Sequence, residues 1–162
     1  MLKRFVVKDT DAIRVHQAPL RETVIRIFRK MEVPERDCRL AADVLVTADM
    51  RGVDSHGVSN MLRIYIRGYN SGELNPRPNW RILRETPATA NIDSDTGLGI
   101  IVVPKAMEIA IEKAKKTGVG MVTIRNGRHL GMASYHAMMA LNHDMIGLCM
   151  TSCPPTTLPT FG

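Results

Sequence analysis

Three stretches in the first seventy residues repeat apolar side chains at three- and four-residue steps. From about 17 to 32, Leu20, Val24, Ile27, Phe28 and Met31 keep that interval and predict an amphipathic helix. Val33-Pro34 ends it, because the residue before a proline is pushed out of the helical region. From about 35 to 50, Leu40, Val44, Leu45 and Ala48 share one face of a second helix. RGVDSHG follows, with two glycines and turn-forming Asp and Ser. Then Val58, Met61, Leu62, Tyr65, Ile66 and Tyr69 trace an apolar stripe over about three turns, with Arg63 and Arg67 off it. NSGELNPRP closes that third helix and reads as a linker.

From about residue 80 the periodicity changes. ATANID (88–93) reads as a strand and SDTGLG as a turn. Residues 104–117 read as a helix, with Pro104 in an allowed first-turn position and Gly118 as the C-terminal stop. VGMVTI (119–124) reads as a strand, NGRHLG as a loop, 132–143 as a short helix and MIGLCMT (145–151) as a buried strand. SCPPTTLPTFG reads as loop. The pattern predicts a helical section, residues 1–78, and then a β-α-β-α-β section, residues 79–162. The fold class expected is α/β with α+β character. A core strand running straight into a Pro/Thr loop has nothing after it to cover it. The polypeptide is therefore expected to continue, or a partner chain to complete it.

Composition narrows the class. In 162 residues, 44% apolar content is enough for a core, which argues against disorder. The net charge of +6 raises nucleic acid as a partner. The basic residues are scattered, however, and no zinc-finger spacing, RNP-type motif or long Lys/Arg run accompanies them, so none is expected. An anionic substrate or a cofactor phosphate suits a positive field equally well. Cys38, Cys149 and Cys153 form no CxxC pair and read as buried free thiols in a reducing compartment. The N-terminus lacks a long apolar segment followed by a small-residue cleavage site, and no apolar run reaches the ~18 residues of a membrane span. A cytoplasmic protein without membrane contact is expected.

Few common catalytic motifs occur. GLGIIV resembles the start of a dinucleotide fingerprint, but Val102 stands where the third glycine belongs, and a tight turn fits better. There is no GxxxxGK[ST], HExxH or GxSxG. Two histidines are left. His56 lies directly before a helix, whose N-terminus favours an anion such as a carboxylate. Ser55 or Asp54 would orient its ring. The competing reading makes Ser55 a helix N-cap and His56 an idle exposed residue. His129 lies in NGRHLG between a strand and a helix, the edge where α/β sheets gather ligands, and Gly127 and Gly131 permit close backbone approach. It too can be a polar loop residue. His136 fits a helix surface, and His16 and His143 fall at element ends; none has a role. No motif supplies His56 and His129 with a third metal ligand, so no metal is expected.

DSHGVSNMLRIYIRGYNSGELNPRP, the GLG turn with its AM-x-x-AI-x-KA helix, and the N-x-x-H-x-G loop occur here in that order. Together they resemble the malate/L-lactate dehydrogenase family of the second type, across nearly the whole chain. That family includes malate, L-sulfolactate and ureidoglycolate dehydrogenases, diketogulonate reductase and cyclic-imine carboxylate reductases. The resemblance implies NAD(P)-dependent hydride transfer at C2 of a 2-oxo or 2-hydroxy acid. It implies a non-Rossmann nucleotide domain on a largely antiparallel sheet, begun here in residues 79–162. It also implies a homodimer and a chain matching only the first half of the family pattern. Its serine–histidine pair falls on Ser55 and His56, and its loop histidine on His129, with His129, Leu130, Gly131, Met132 and Ala133 against the cofactor. The substrate arginine of the family falls on Asn60, a departure for which Arg63 or Arg51 would compensate. Its tyrosine falls on Ile64, beside Tyr65. The alternative expectation is a catalytically inactive fragment that needs the C-terminal half or a partner chain.

Overall fold

The computed structural model describes residues 10–152. Three helices open it: α1 (Gln17–Lys30), α2 (Glu35–Met50) and α3 (Val58–Asn70). Their apolar stripes face one another. Val24, Ile25 and Phe28 of α1, Val44, Leu45 and Ala48 of α2, and Leu62 and Tyr65 of α3 are all buried. Phe28 and Tyr69 meet edge to face with centroids 6.3 Å apart. α1 ends two residues before the predicted boundary because Glu32 turns left-handed (φ 62°) ahead of Pro34.

A mixed three-stranded sheet follows, β1 (Arg81–Glu85), β2 (Thr89–Asp93) and β3 (Met121–Arg125), in the order β1-β2-β3. β1 pairs antiparallel with β2, with an irregularity between Ile82 and Arg84, and β2 pairs parallel with β3. The chain is α/β, with α4 (Gly99–Thr117) crossing between the parallel strands. β1 was not expected, since all five of its residues are exposed and RILRE has no period-two alternation to announce it.

α4 begins at Gly99, not Pro104. GLGIIV is a turn only as far as Leu98, and Pro104 lies inside the helix. Gly118 stops α4 as expected, in the left-handed region (φ 81°). The predicted helix over 132–143 is shorter and tighter, α5 (Ala133–Met138) running into a 3₁₀ turn at Met139–His143. The strand expected at 145–151 does not form. Among the described residues no neighbour offers it a ladder, and Ile146, Leu148 and Met150 are exposed. Gly147 instead lies against α5, where an added Cβ would fall 1.9 Å from the Ala137 carbonyl oxygen.

Leu98, Ile100 and Ile101 join the same core cluster as α1, α2 and α3, so the helical section and the start of α4 share one interior. A largely buried ion pair, Lys105 Nζ to Asp37 Oδ1 at 2.7 Å, ties α4 to α2. Asp43 of α2 accepts from Tyr135 Oη at 2.6 Å and pairs with Arg21 of α1, so α5 is fastened to both helices. This shared interior brings the loop before α5 over the turn before α3. No described helix is long and apolar enough to cross a membrane.

Candidate active site

The SHG motif is a single 3₁₀ turn, Asp54–His56, closed by the His56 N–H donating to the Val53 carbonyl at 2.9 Å. Ser55 does not cap α3. Its Oγ lies 2.9 Å from His56 Nδ1, so it is Ser55 rather than Asp54 that orients the ring. Gly57 is the N-cap residue, and the cap side chain comes from α2: Asp49 Oδ2 accepts from the Val58 N–H at 3.0 Å. A Cβ on Gly57 would fall 1.6 Å from Asp49 Oδ1, so glycine is what lets the carboxylate in. Burial pushes the Asp49 carboxyl up from its ordinary value. The anion expected at the start of α3 therefore meets a side chain already seated there. Asp49 was not anticipated. An acid in the last turn of a helix opposes the helix dipole, and that mismatch was its one sequence signal.

The second histidine arrives by the loop after β3. Asn126 takes a left-handed conformation (φ 54°), and its amide donates to Asp93 Oδ1 at 2.9 Å, fixing the loop to the end of β2. The loop then runs across the first turn of α4, where a Cβ on Gly99 would lie 2.4 Å from the Arg128 oxygen and 2.7 Å from the His129 oxygen. That contact, not phosphate binding, is what the second glycine of GLGIIV serves.

His56 and His129 stack, with ring centroids 5.4 Å apart and planes 15° from parallel. Tyr65 Oη lies 2.8 Å from His129 Nδ1, matching Ser55 against His56. Each hydroxyl can donate to a bare Nδ1 or accept from Nδ1–H, so it serves a histidine in either protonation state. Neither Nε2 has a hydrogen-bond partner among the described residues. The pair thus leaves both Nε2 atoms unpaired among the described residues. His129 is exposed as a residue, but its ring is crowded. Loss of solvent pushes its pKa below the ordinary histidine value, and the neighbouring His56 charge pushes the same way.

The remaining candidates are less closely gathered. Asn60 Nδ2 donates to the Asp54 carbonyl at 2.8 Å, so it braces the SHG turn. Arg51 and Arg63 are exposed. In the loop, Leu130, Gly131 and Met132 are buried and Ala133 is half-buried, leaving His129 as the exposed side chain. Tyr65, read as a stripe residue, is both core and site. His136 is not on the helix surface as expected; it is fully buried. Cys38 is buried and donates to the Val33 carbonyl at 3.1 Å, with burial pushing its thiol up to about 11. Cys149, expected to be buried as well, is a half-buried free thiol, and Cys153 lies outside the described residues. No group of three or more His, Cys, Asp or Glu side chains converges on one point among the described residues.

The chain as a whole is similar to known proteins. The chain is 44% identical to a malate dehydrogenase of Pyrococcus abyssi over 154 residues, which are 95% of this chain and 42% of that protein. It is 45% identical to an L-sulfolactate dehydrogenase of Methanocaldococcus jannaschii over 142 residues, 88% of this chain and 41% of that one. The solved malate dehydrogenase of Pyrococcus horikoshii superimposes with a TM-score of 0.79 at 46% identity, covering 81% of this chain and 37% of that chain. The chain therefore spans about two fifths of the length of the relatives it matches. The malate/L-lactate dehydrogenase family model matches residues 15–162, and the paired histidines stand on a chain that belongs to that family.

Proposed function

We propose that this chain carries the proton-transfer site of an NAD(P)-dependent oxidoreductase acting at C2 of a 2-oxo or 2-hydroxy acid. The observation that carries the reading is the His56–His129 stack, each Nδ1 held by a hydroxyl and each Nε2 open. When a carbonyl at C2 is reduced, His56 or His129 gives a proton from Nε2 to the oxygen as charge develops there. In the reverse direction the same nitrogen removes it. Such acid–base catalysis is worth roughly 10²- to 10⁴-fold. His129 is biased toward its neutral form, which suits it to accept the proton of a hydroxy acid. With one Asn60 amide hydrogen committed to Asp54, the substrate carboxylate falls to Arg63 or Arg51.

The loop beside this pair leaves room for a cofactor. Residues 126–129 are exposed, and a Cβ on Gly127 would meet only Ile124 Cγ2, at 3.5 Å. A nicotinamide cofactor bound there supplies or accepts the hydride. Leu130, Gly131 and Met132 would face it through backbone, and His129 and Ala133 through side chains. We further assign residues 1–78 to a helical section and 79–162 to the cofactor domain, in a cytoplasmic homodimer. The test is steady-state turnover of malate, lactate and sulfolactate with NAD and NADP by the full-length protein and its His56→Ala and His129→Ala variants. Wild-type turnover in both variants would remove the assignment.

A second reading rests on the exposed apolar side chains Met121, Leu141, Ile146, Leu148 and Met150. It makes the 162-residue chain alone an inactive piece that needs a further segment or a partner to cover them. NAD(P)H titration of the isolated chain decides it, since micromolar binding would count against that reading.

A further inference from the structure

His136 is the one histidine with no exposed surface, and the oxidoreductase reading gives it no task. Its Nε2 lies 2.7 Å from the carbonyl oxygen of Leu130, the residue immediately after His129. A carbonyl only accepts, so Nε2 carries the hydrogen and the ring is the Nε2–H tautomer. Nδ1 is buried and has no partner among the described residues. Protonating it would bury a donor with nothing to receive it, which keeps the ring neutral and the tautomer fixed. Burial lowers the His136 pKa in the same sense.

The bond acts where the loop reverses. Gly131 takes φ +75°, and a Cβ there would fall 2.7 Å from Ile100 Cγ2. Gly99 presses on the backbone of residues 128–130 from the α4 side, and Tyr65 holds the His129 ring. His136 supplies the hold from the α5 side. Tyr135 packs edge-on against it at 5.5 Å and is itself anchored to Asp43.

We propose that His136 is a positioning residue: by gripping the Leu130 carbonyl it sets the backbone that presents the His129 ring to Tyr65 and His56. Its bearing on turnover rests on the proton-transfer role given to His129 above; its bearing on His129 geometry does not.

The test uses full-length protein labelled with ¹⁵N-histidine, as wild type, His136→Phe and His136→Gln. Phenylalanine keeps an aromatic ring against Tyr135 and removes the donor; the glutamine amide reaches about as far as Nε2. In H136F the His129 ring signals should broaden or split and their titration midpoint rise toward the ordinary histidine value. kcat should fall about tenfold with KM changed less than about threefold, as for loss of an orienting contact behind a functional ligand. H136Q should restore both readouts to within about threefold. Should H136F not fold, His136→Asn replaces it, its amide nitrogen falling near the Nδ1 position and short of the carbonyl. Unchanged His129 signals in a donor-less variant, or a stable H136Q that behaves like H136F, would overturn the proposal. If the wild type turns over no 2-hydroxy acid while the His129 signals respond as described, the oxidoreductase reading fails and the positioning role stands.

Discussion

Tyr65 and His129 are 64 residues apart in sequence, and Tyr65 Oη lies 2.8 Å from His129 Nδ1. Tyr65 is 2% exposed, so its ring belongs to the helical core while its hydroxyl belongs to the site. Tyr65→Phe removes one hydrogen bond and leaves the packing. A bond of about 1 kcal/mol corresponds to a roughly five- to tenfold fall in kcat. Thermal denaturation should show little change beside it. An unaltered kcat in the folded variant would show that the hydroxyl does not orient His129 for turnover.

Gly57 and Asp49 form a second coupled pair. Gly57→Ala forces the Asp49 carboxylate off the Val58 N–H, which costs the cap of α3, about 1–2 kcal/mol. Asp49→Ala removes the same cap. The double variant should therefore lose less than the sum of the two single losses in denaturant titrations. Full additivity would mean the two residues do not act through one contact.

Gly99→Ala meets a harder obstacle, because its nearest neighbours are the backbone oxygens of Arg128 and His129 and the Cα of Leu130. No side chain there can swing away. Overpacking of this kind costs about 1–3 kcal/mol, and here the displaced atoms carry His129. Both the melting temperature and kcat should fall, whereas Gly127→Ala, with only Ile124 Cγ2 nearby at 3.5 Å, should leave the melting temperature near wild type.

Acid should destabilise the fold through two histidines. Burial pushes both His129 and His136 below the ordinary histidine value, so the unfolded chain binds protons that the folded chain refuses. Their contribution is complete above the unfolded value of about 6.5 and is lost as pH falls through the lower folded values. Denaturant midpoints of the full-length protein at pH 7.5, 6.5 and 5.5 should decrease in that order. His136→Gln should flatten the trend; an equally steep trend would mean that His136 contributes nothing to it.

Short-range order was legible in the residues themselves. The stripe over Val58–Tyr69 specified α3, Gly118 specified the end of α4, and the alternation of strand and helix specified an α/β chain, because each depends on neighbours within a few positions. Resemblance added His56 and His129 as a pair. Periodicity did not reveal β1, whose residues are all exposed, and it misplaced a strand at 145–151, where apolar content found no ladder among the described residues. Tertiary structure alone decided the rest. It brought the hydroxyl of a core tyrosine to a loop histidine, let a carboxylate from α2 cap α3 across a glycine, and turned His136 inward onto the Leu130 carbonyl. Those contacts join residues 9, 64 and 6 positions apart, and the two longer ones bridge separate elements. They exist because one shared core, from Val24 to Ile101, presses the loop before α5 over the turn before α3.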